Sequence, residues 1–331
     1  MKRGQSGKSL IIGVNKPLGL TSHDVVNRCR KIFGERRVGH TGTLDPLATG
    51  VLPVCIGPAT RLDAYLVGHD KEYLVGIRFG WETTTDDAEG EATIHAEVPP
   101  HLEDEGYAQS FIASLVGEHQ QIPPAYSAIK INGQTAYKLA RSGKEAEIEP
   151  RTIMVHASEL RGIERDDDGN LTWHVAFTVS KGTYIRSLAR DIGRGLHCAA
   201  HVATLKRTRA GRISLDSCVS LDTLEHLKDD AALDPVRVLG VRYAFADDIA
   251  AKVANGGLLF AEDLTLYKPL SAEPDDDMCA CSTSICKSNE APTDGELIAV
   301  VVGNRMRALY FFDERRNCYK PNCIFSIPIS R

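Results

Sequence analysis

Residues 171–196, "LTWHVAFTVSKGTYIRSLARDIGRGL", change hydrophobic period halfway, and few architectures accommodate that change. Leu171, Trp173, Val175, Phe177 and Val179 alternate with smaller or polar residues, the pattern of a strand with one face in a core. After "SKGTY", Ile185, Leu188, Ala189, Ile192 and Leu196 share one helix face. A strand that runs through a short turn into a helix places both elements on one core, so the chain mixes α and β. Arg186, Arg190 and Arg194 recur at four-residue spacing on that helix. The spacing predicts an arginine stripe opposite the core face, either solvated or in contact with phosphates.

Other segments extend the mixed pattern. "LTSHDVVNRCRKIFG" sets Val25, Val26, Cys29, Ile32 and Phe33 at helical spacing, with a Thr21/Asp24 capping box and Gly34 as the stop. Its wet face carries Arg28, Arg30 and Lys31. In "KEYLVGIRFG" the alternation of Tyr73, Val75, Ile77 and Phe79 predicts a half-buried strand. "WETTTDDAEGEATI" reads as a polar loop, residues 108–117 as a short helix, and "QIPPAYSAIKINGQTAYKLARSG" as a double proline, an Asn132-Gly133 hairpin and a helical run. Beyond residue 236 strand and hairpin signals dominate, with a turn at Gly303-Asn304. The expected division is a catalytic-type domain over 1–236, with an insertion near 118–150, and a small β domain over 237–331 carrying a flexible, cysteine-rich insertion near 271–295.

At 331 residues the chain can bury a substantial core. The basic start is followed by an apolar run that Asn15 and Lys16 interrupt, too short for a signal-peptide core or a membrane span, so a cytoplasmic protein without membrane association is expected. Nine scattered cysteines point to a reducing compartment without a disulfide framework. Net charge is −5, but it is segregated: residues 1–70 hold ten Lys or Arg against five acids, and residues 181–212 hold eight against one. Residues 82–118 hold ten acids and no Lys or Arg. Such separation gives local fields attractive to phosphates even on an acidic chain.

"GHTGTLDPLATG", residues 39–50, presents a single acid, Asp45, between glycines, and Pro46 biases it toward an extended conformation. The loop is not a P-loop, because no lysine and hydroxyl follow its last glycine. An aspartyl-phosphate site with Asp86 and Asp87 on magnesium, a glycosidase pair, and a purely structural turn-capping Asp remain open from the residues alone.

"VNKPLGLTSHDVV", "RRVGHTGTLDPLATGVLPVCIGPATR", "KEYLVGIRFG", "QIPPAYSAIKINGQTAYKLAR", "SKGTYIRSLARDIG" and "LKRTRAGR" resemble, in order and spacing, the motifs of the TruB family of pseudouridine synthases over residues 10–215. The resemblance implies a mixed α/β (α+β) catalytic domain around a long, largely antiparallel sheet, with a PUA-like C-terminal β domain. It implies conversion of uridine 55 in the TΨC stem-loop of tRNA to pseudouridine, without cofactor or metal. By resemblance Asp45 is the nucleophile, Arg186 its ion-pair partner holding its pKa low, and Tyr73 the residue that stacks on the uracil and handles a proton. His40, Tyr184, Lys16, Lys181 and Leu205 are the implied substrate contacts: His40 beside the flipped nucleotide, Tyr184 and Leu205 as pocket wall, Lys16 as RNA or loop contact, Lys181 as electrostatic support. Arg190 and Arg194 are the expected RNA-backbone contacts.

The family's T-D-T-x-D stretch is "TTTDD" here, residues 83–87, which lacks one acid and leaves Asp87 at the last position. Cys279, Cys281, Cys286, Cys318 and Cys323 lack a strong zinc spacing. The absence of a lysine-rich tail and the presence of "QIPPAYSAIK" favour a stand-alone, monomeric enzyme over a guide-RNA-dependent one. A tRNA-folding chaperone, with or without turnover, is the alternative from another class.

Overall fold

The computed structural model describes residues 6–127, 129–131, 133–142, 148–272 and 286–330. Its main element is a nine-stranded sheet. Seven strands form the main path: β1 (Leu10–Lys16), β2 (Ala48–Ile56), β3 (Lys71–Phe79), β4 (Gly117–Gln121), β5 (Arg151–Arg165), β6 (Leu171–Val179) and β7 (Ala200–Ala210). They lie in the order β1-β2-β7-β3-β6-β5-β4, antiparallel throughout except for β2 with β7. The alternating residues of β3 and β6 are buried as their pattern predicts, and Trp173 donates its indole N–H to Leu102 O at 2.8 Å.

Helix α1 (Ser22–Phe33) carries the Thr21/Asp24 capping box and ends at Gly34 in the left-handed region (φ 62°). Arg28 on its wet face pairs with Asp222 and Glu225, each at 3.0 Å. Helix α2 (Glu105–Ser114) begins three residues earlier than its periodicity suggests, because the Asp104 carboxylate accepts from Tyr107 N–H at 2.6 Å and caps it. The expected polar loop after β3 contains a short hairpin, Trp81–Thr83 with Ala92–His95. Asn132 and residues 143–147 of the expected insertion lie outside the described residues, and strands Lys130–Ile131 and Gln134–Thr135 pair across the hairpin position.

A second, six-stranded sheet holds the C-terminal segment. Its hairpin turns where expected: Gly303 (φ 58°) and Asn304 (φ 56°) both adopt the left-handed geometry of a tight two-residue turn. Ile11, Val51 and Cys55 of the first sheet share an apolar core with Val301, Leu309 and Phe325 of the second. The expected boundary at 236/237 falls inside the helix Pro235–Leu239, whose Val236 and Leu239 belong to that same core. Residues 273–285, which contain Cys279 and Cys281, lie outside the described residues, and Cys318 and Cys323 are buried in the second sheet.

Helix α3 (Ile185–Gly195) corrects the reading of the arginine stripe. Ile185, Leu188, Ala189 and Ile192 face the sheet, and a Cβ at Gly193 would come within 2.7 Å of Ala200 on β7, so glycine permits the close approach. The opposite face is partly covered. The acidic segment 82–87 covers it: Arg190, 9% exposed, donates to Asp86 at 2.8 Å and to Ile122 O at 2.9 Å, and Arg194 makes two 2.7 Å bonds to Glu82. Asp86 adopts a positive φ of 58° in reaching Arg190. The two segments of opposite charge therefore meet: Arg190 is buried in its carboxylate pair, which takes it from the expected RNA contacts, while Arg194 is paired with Glu82 and keeps its side chain 56% exposed.

A buried ion pair is costly to break from one side, because the remaining charge loses its partner without regaining water. Arg190→Met should lower unfolding stability by about 3–5 kcal/mol in thermal or denaturant melts. Adding Asp86→Asn, which removes the orphaned charge, should recover most of that loss. A single variant as stable as wild type would mean that this pair does not hold the helix to the acidic segment.

Candidate active site

The Asp45 loop is fixed from three directions. Ser22, at the start of α1, accepts from Leu44 N–H at 2.8 Å and donates to Leu44 O at 2.9 Å, fixing the residue before the acid. Pro46 O accepts from Gly19 N–H at 2.9 Å and from Lys16 Nζ at 3.4 Å. Arg207 on β7, 1% exposed, donates to Val51 O at 2.6 Å, Gly42 O at 2.9 Å and Thr43 O at 3.5 Å. Two of the loop's glycines are required by this arrangement. Gly42 has φ 86°, and at Gly50 (φ 97°) a Cβ would lie 2.1 Å from Arg207 O.

Asp45 Oδ2 sits 2.9 Å from Arg186 Nε, with its side chain 36% exposed against 6% for the arginine. The other guanidinium nitrogens donate to Thr85 O at 2.8 Å and Tyr126 O at 2.9 Å, and Asp87 Oδ2 lies 3.6 Å away. Arg186 is thus tied to three separate segments and presents one edge to the acid. The ion pair is as expected, but its consequence for protonation is not. Burial pushes the Asp45 carboxyl above its ordinary value; Arg186 opposes that rise and Asp87 adds to it.

The altered "TTTDD" stretch still closes a network behind Arg186. Thr85 Oγ1 donates to the Asp87 carboxylate, Glu89 N–H donates to it at 3.1 Å, and Thr83 Oγ1 donates to Asp87 O at 2.6 Å. Thr84, standing where the family pattern has an acid, accepts from Glu91 N–H at 3.2 Å and so supports the hairpin.

Asp45 opens into a cavity of about 810 Å³, whose wall includes Tyr73, Lys181, Tyr184, Arg186 and Leu205. Tyr73 and Leu205, each 7% exposed, come from β3 and β7; Tyr73 lies in register with Phe177 on one side and Arg207 on the other. Tyr184 precedes α3, and the buried Gln121 amide holds its backbone in both directions: Tyr184 N–H donates to Oε1 at 2.9 Å and Nε2 donates to Tyr184 O at 3.0 Å. The result is one carboxylate beside an arginine, facing aromatic surface in a space large enough for a nucleotide. That set suits a nucleophile acting on an unstacked base.

Of the expected contacts, Lys16 takes its loop alternative, and His40 is placed off the cavity wall. Lys16 is buried, and its ammonium donates to Pro17 O at 2.9 Å, Leu20 O at 2.6 Å and Pro46 O, so it supports the loop from behind and does not line the cavity. Burial pushes its pKa down to about 8. His40 ends the short strand Val38–His40 and is also absent from the wall. Its Nδ1 is buried without a hydrogen-bond partner among the described residues, and burial lowers its pKa, which favours the neutral ring. Sequence reasoning missed Ser22, Gln121, Lys71 and Arg207. Each lies in one of the quoted motifs, but the motifs alone gave none of them a role, and the Arg207 side chain in "LKRTRAGR" is internal.

Comparison with known proteins follows the same lines. Residues 30–185 match the family model described as TruB family pseudouridylate synthase (N terminal domain), and residues 186–239 match the tRNA pseudouridylate synthase B C-terminal domain. The chain is 48% identical over 229 residues to tRNA pseudouridine synthase B of Mycobacterium sp. (strain KMS), covering 67% of this chain and 76% of the relative. It is 41% identical over 247 residues to the protein of that name from Francisella philomiragia, covering 75% and 79%. Among solved structures it is similar to a chain in "Structure of H/ACA RNP bound to a substrate RNA containing 2′-deoxyuridine". That match has TM-score 0.65 and 23% identity over 97% of this chain and 86% of the other, a likeness of fold. The family models span most of the first sheet and the whole Asp45 site, and the chain belongs to the TruB family of pseudouridylate synthases.

Proposed function

We propose that this chain converts uridine 55 in the TΨC loop of tRNA to pseudouridine, with Asp45 as the nucleophile. The observation that carries the reading is the Asp45–Arg186 pair at 2.9 Å on the wall of a cavity that also holds Tyr73. The family membership and the relatives named tRNA pseudouridine synthase B supply the substrate class. The reaction is an isomerisation: the N1–C1′ bond breaks, a C5–C1′ bond forms, C5 loses a proton and N1 gains one. No electron acceptor and no hydrolytic water enter that balance, so one ionised carboxylate and a shaped pocket suffice and no cofactor is required. The target base must leave the loop's stack to reach Asp45, and Tyr73 and Tyr184 offer it aromatic surface in exchange. We further propose that the chain works as a monomer, without a guide RNA, in the cytoplasm.

The direct test is to incubate the purified chain with unmodified tRNA and map pseudouridine. One site, position 55, is expected. Asp45→Asn should bind tRNA with wild-type affinity and lose conversion by at least about a thousandfold, since the amide is nearly isosteric but cannot act as the nucleophile. Conversion near the wild-type rate would remove Asp45 from the chemistry.

Tyr73 has two separable roles. If its hydroxyl handles a proton, Tyr73→Phe should bind normally and turn over about a hundredfold or more slowly in single-turnover assays. Stacking is worth about 1–3 kcal/mol, so Tyr73→Leu should lose affinity as well. A Phe variant at full rate would reject the proton-transfer role, and a Leu variant at full rate and affinity would remove Tyr73 from the site.

A further inference from the structure

The Asp45 cavity is strongly cationic. Lys71, Arg151, Lys181, Arg186 and Arg207 all line it, and Asp45 is the one carboxylate among the lining residues. Arg186 is taken by Asp45, and Arg207 spends its N–H groups on the carbonyls of Gly42, Thr43 and Val51. The remaining three have no carboxylate partner among the described residues. Lys71 Nζ donates to Val67 O at 3.2 Å and His69 O at 2.5 Å, which leaves one of its three ammonium hydrogens without an acceptor among the described residues. Asp70, its neighbour in sequence, lies 3.3 Å from His156. The Arg151 guanidinium rests 5.6 Å from the Tyr184 ring centroid, and Lys181 is exposed at the cavity wall.

Lys71 and Arg207 are held close to one another at the Asp45 loop, and Arg151 stands beside Gly182, next to Lys181 in sequence. A Cβ at Gly42 would be 3.4 Å from both Lys71 Cε and Arg207 Nη1, so the two side chains meet at the turn that leads to Asp45. Burial, with the like charges of Arg207 and Lys181, pushes the Lys71 ammonium down to about 8 while Asp70 opposes the shift. Like charges gathered around a cavity whose one lining carboxylate, Asp45, is already paired with Arg186 repel one another, and an anion relieves that repulsion on binding. By contrast the helix arginines, Arg190 and Arg194, already have carboxylate partners.

We infer that Lys71, together with Lys181 and Arg151, forms a phosphate-binding wall inside the cavity, which takes a phosphodiester flanking the uridine whose base enters beside Asp45. The inference rests on the proposed function, since it assumes that a tRNA uridine is the occupant. Anchoring the phosphate on the lysine side of the cavity holds the ribose between that wall and the carboxylate, so the base is positioned without being read for sequence.

A chemical double-mutant cycle tests it. T-arm stem-loop RNAs carry a neutral methylphosphonate at the 5′ or the 3′ phosphate of the target uridine, and affinity is measured for wild type, Lys71→Met and Lys71→Arg. With wild type, one of the two replacements should weaken binding about tenfold. Lys71→Met should lose a similar factor on unmodified RNA and lose nothing further on the modified one, whereas Lys71→Arg should keep the wild-type discrimination. Lys181→Met, at an exposed position, carries the same cycle if Lys71→Met fails to fold. Neutral replacements that cost nothing with wild type, or losses that multiply in the variants, would overturn the phosphate wall. Affinity is read independently of conversion. Intact conversion without coupling rejects the wall alone, and intact coupling without conversion rejects the proposed reaction alone.

Discussion

Arg186 is the post on which the site stands. Its guanidinium reaches Asp45, Thr85 O and Tyr126 O and lies near Asp87, so one side chain joins the Asp45 loop, the acidic segment and the "QIPPAYS" segment. The three segments are far apart in sequence, and the guanidinium is where they meet. An arginine with its donors in a rigid planar fork can orient all three at once, which a lysine cannot. The helix that carries it is anchored in turn by Gly193 against β7 and by Arg190 and Arg194 against the acidic segment.

Charge in this protein is used internally before it is offered to a ligand. The acidic residues 82–87 neutralise one face of α3, and Arg207 and Lys16 are consumed by carbonyls of the loop they hold. Lys71, Arg151 and Lys181, which have no carboxylate partner among the described residues, line the cavity where Asp45 sits. A net charge of −5 therefore coexists with a cavity suited to a polyanion, because attraction depends on where unpaired charge lies and not on its sum.

Much of this was legible in the sequence. The period switch at "SKGTY", the alternation from Tyr73 to Phe79, the capping box at Thr21 and the Gly303-Asn304 turn each depend on local chemistry, and each appears as that chemistry requires. The family motifs led to Asp45, Arg186, Tyr73 and Tyr184, and these four side chains line one cavity. What could not be read were pairings across long separations. Helical spacing shows that Arg190 and Arg194 share a face, but not that Glu82 and Asp86, over a hundred residues earlier, cover it. Arg207 looks like surface charge beside Lys206 and Arg209 until the parallel contact of β7 with β2 buries it under the Asp45 loop. Lys16 is similar: its motif was recognised, but its inward direction depends on where the chain turns at Leu20 and Pro46.

The proposed reaction needs Asp45 as an anion, yet burial favours its neutral form and Arg186 is the main opposing influence. Following the Asp45 side-chain carboxyl resonance through a pH series, in wild type and in Arg186→Gln, measures that balance directly. Wild type should titrate above the ordinary aspartate value of 3.8, and Arg186→Gln higher still, because removing that cation leaves burial and Asp87 opposed only by the weaker influence of Lys16. An Arg186→Gln variant whose Asp45 titrates at or below the wild-type value would contradict the account.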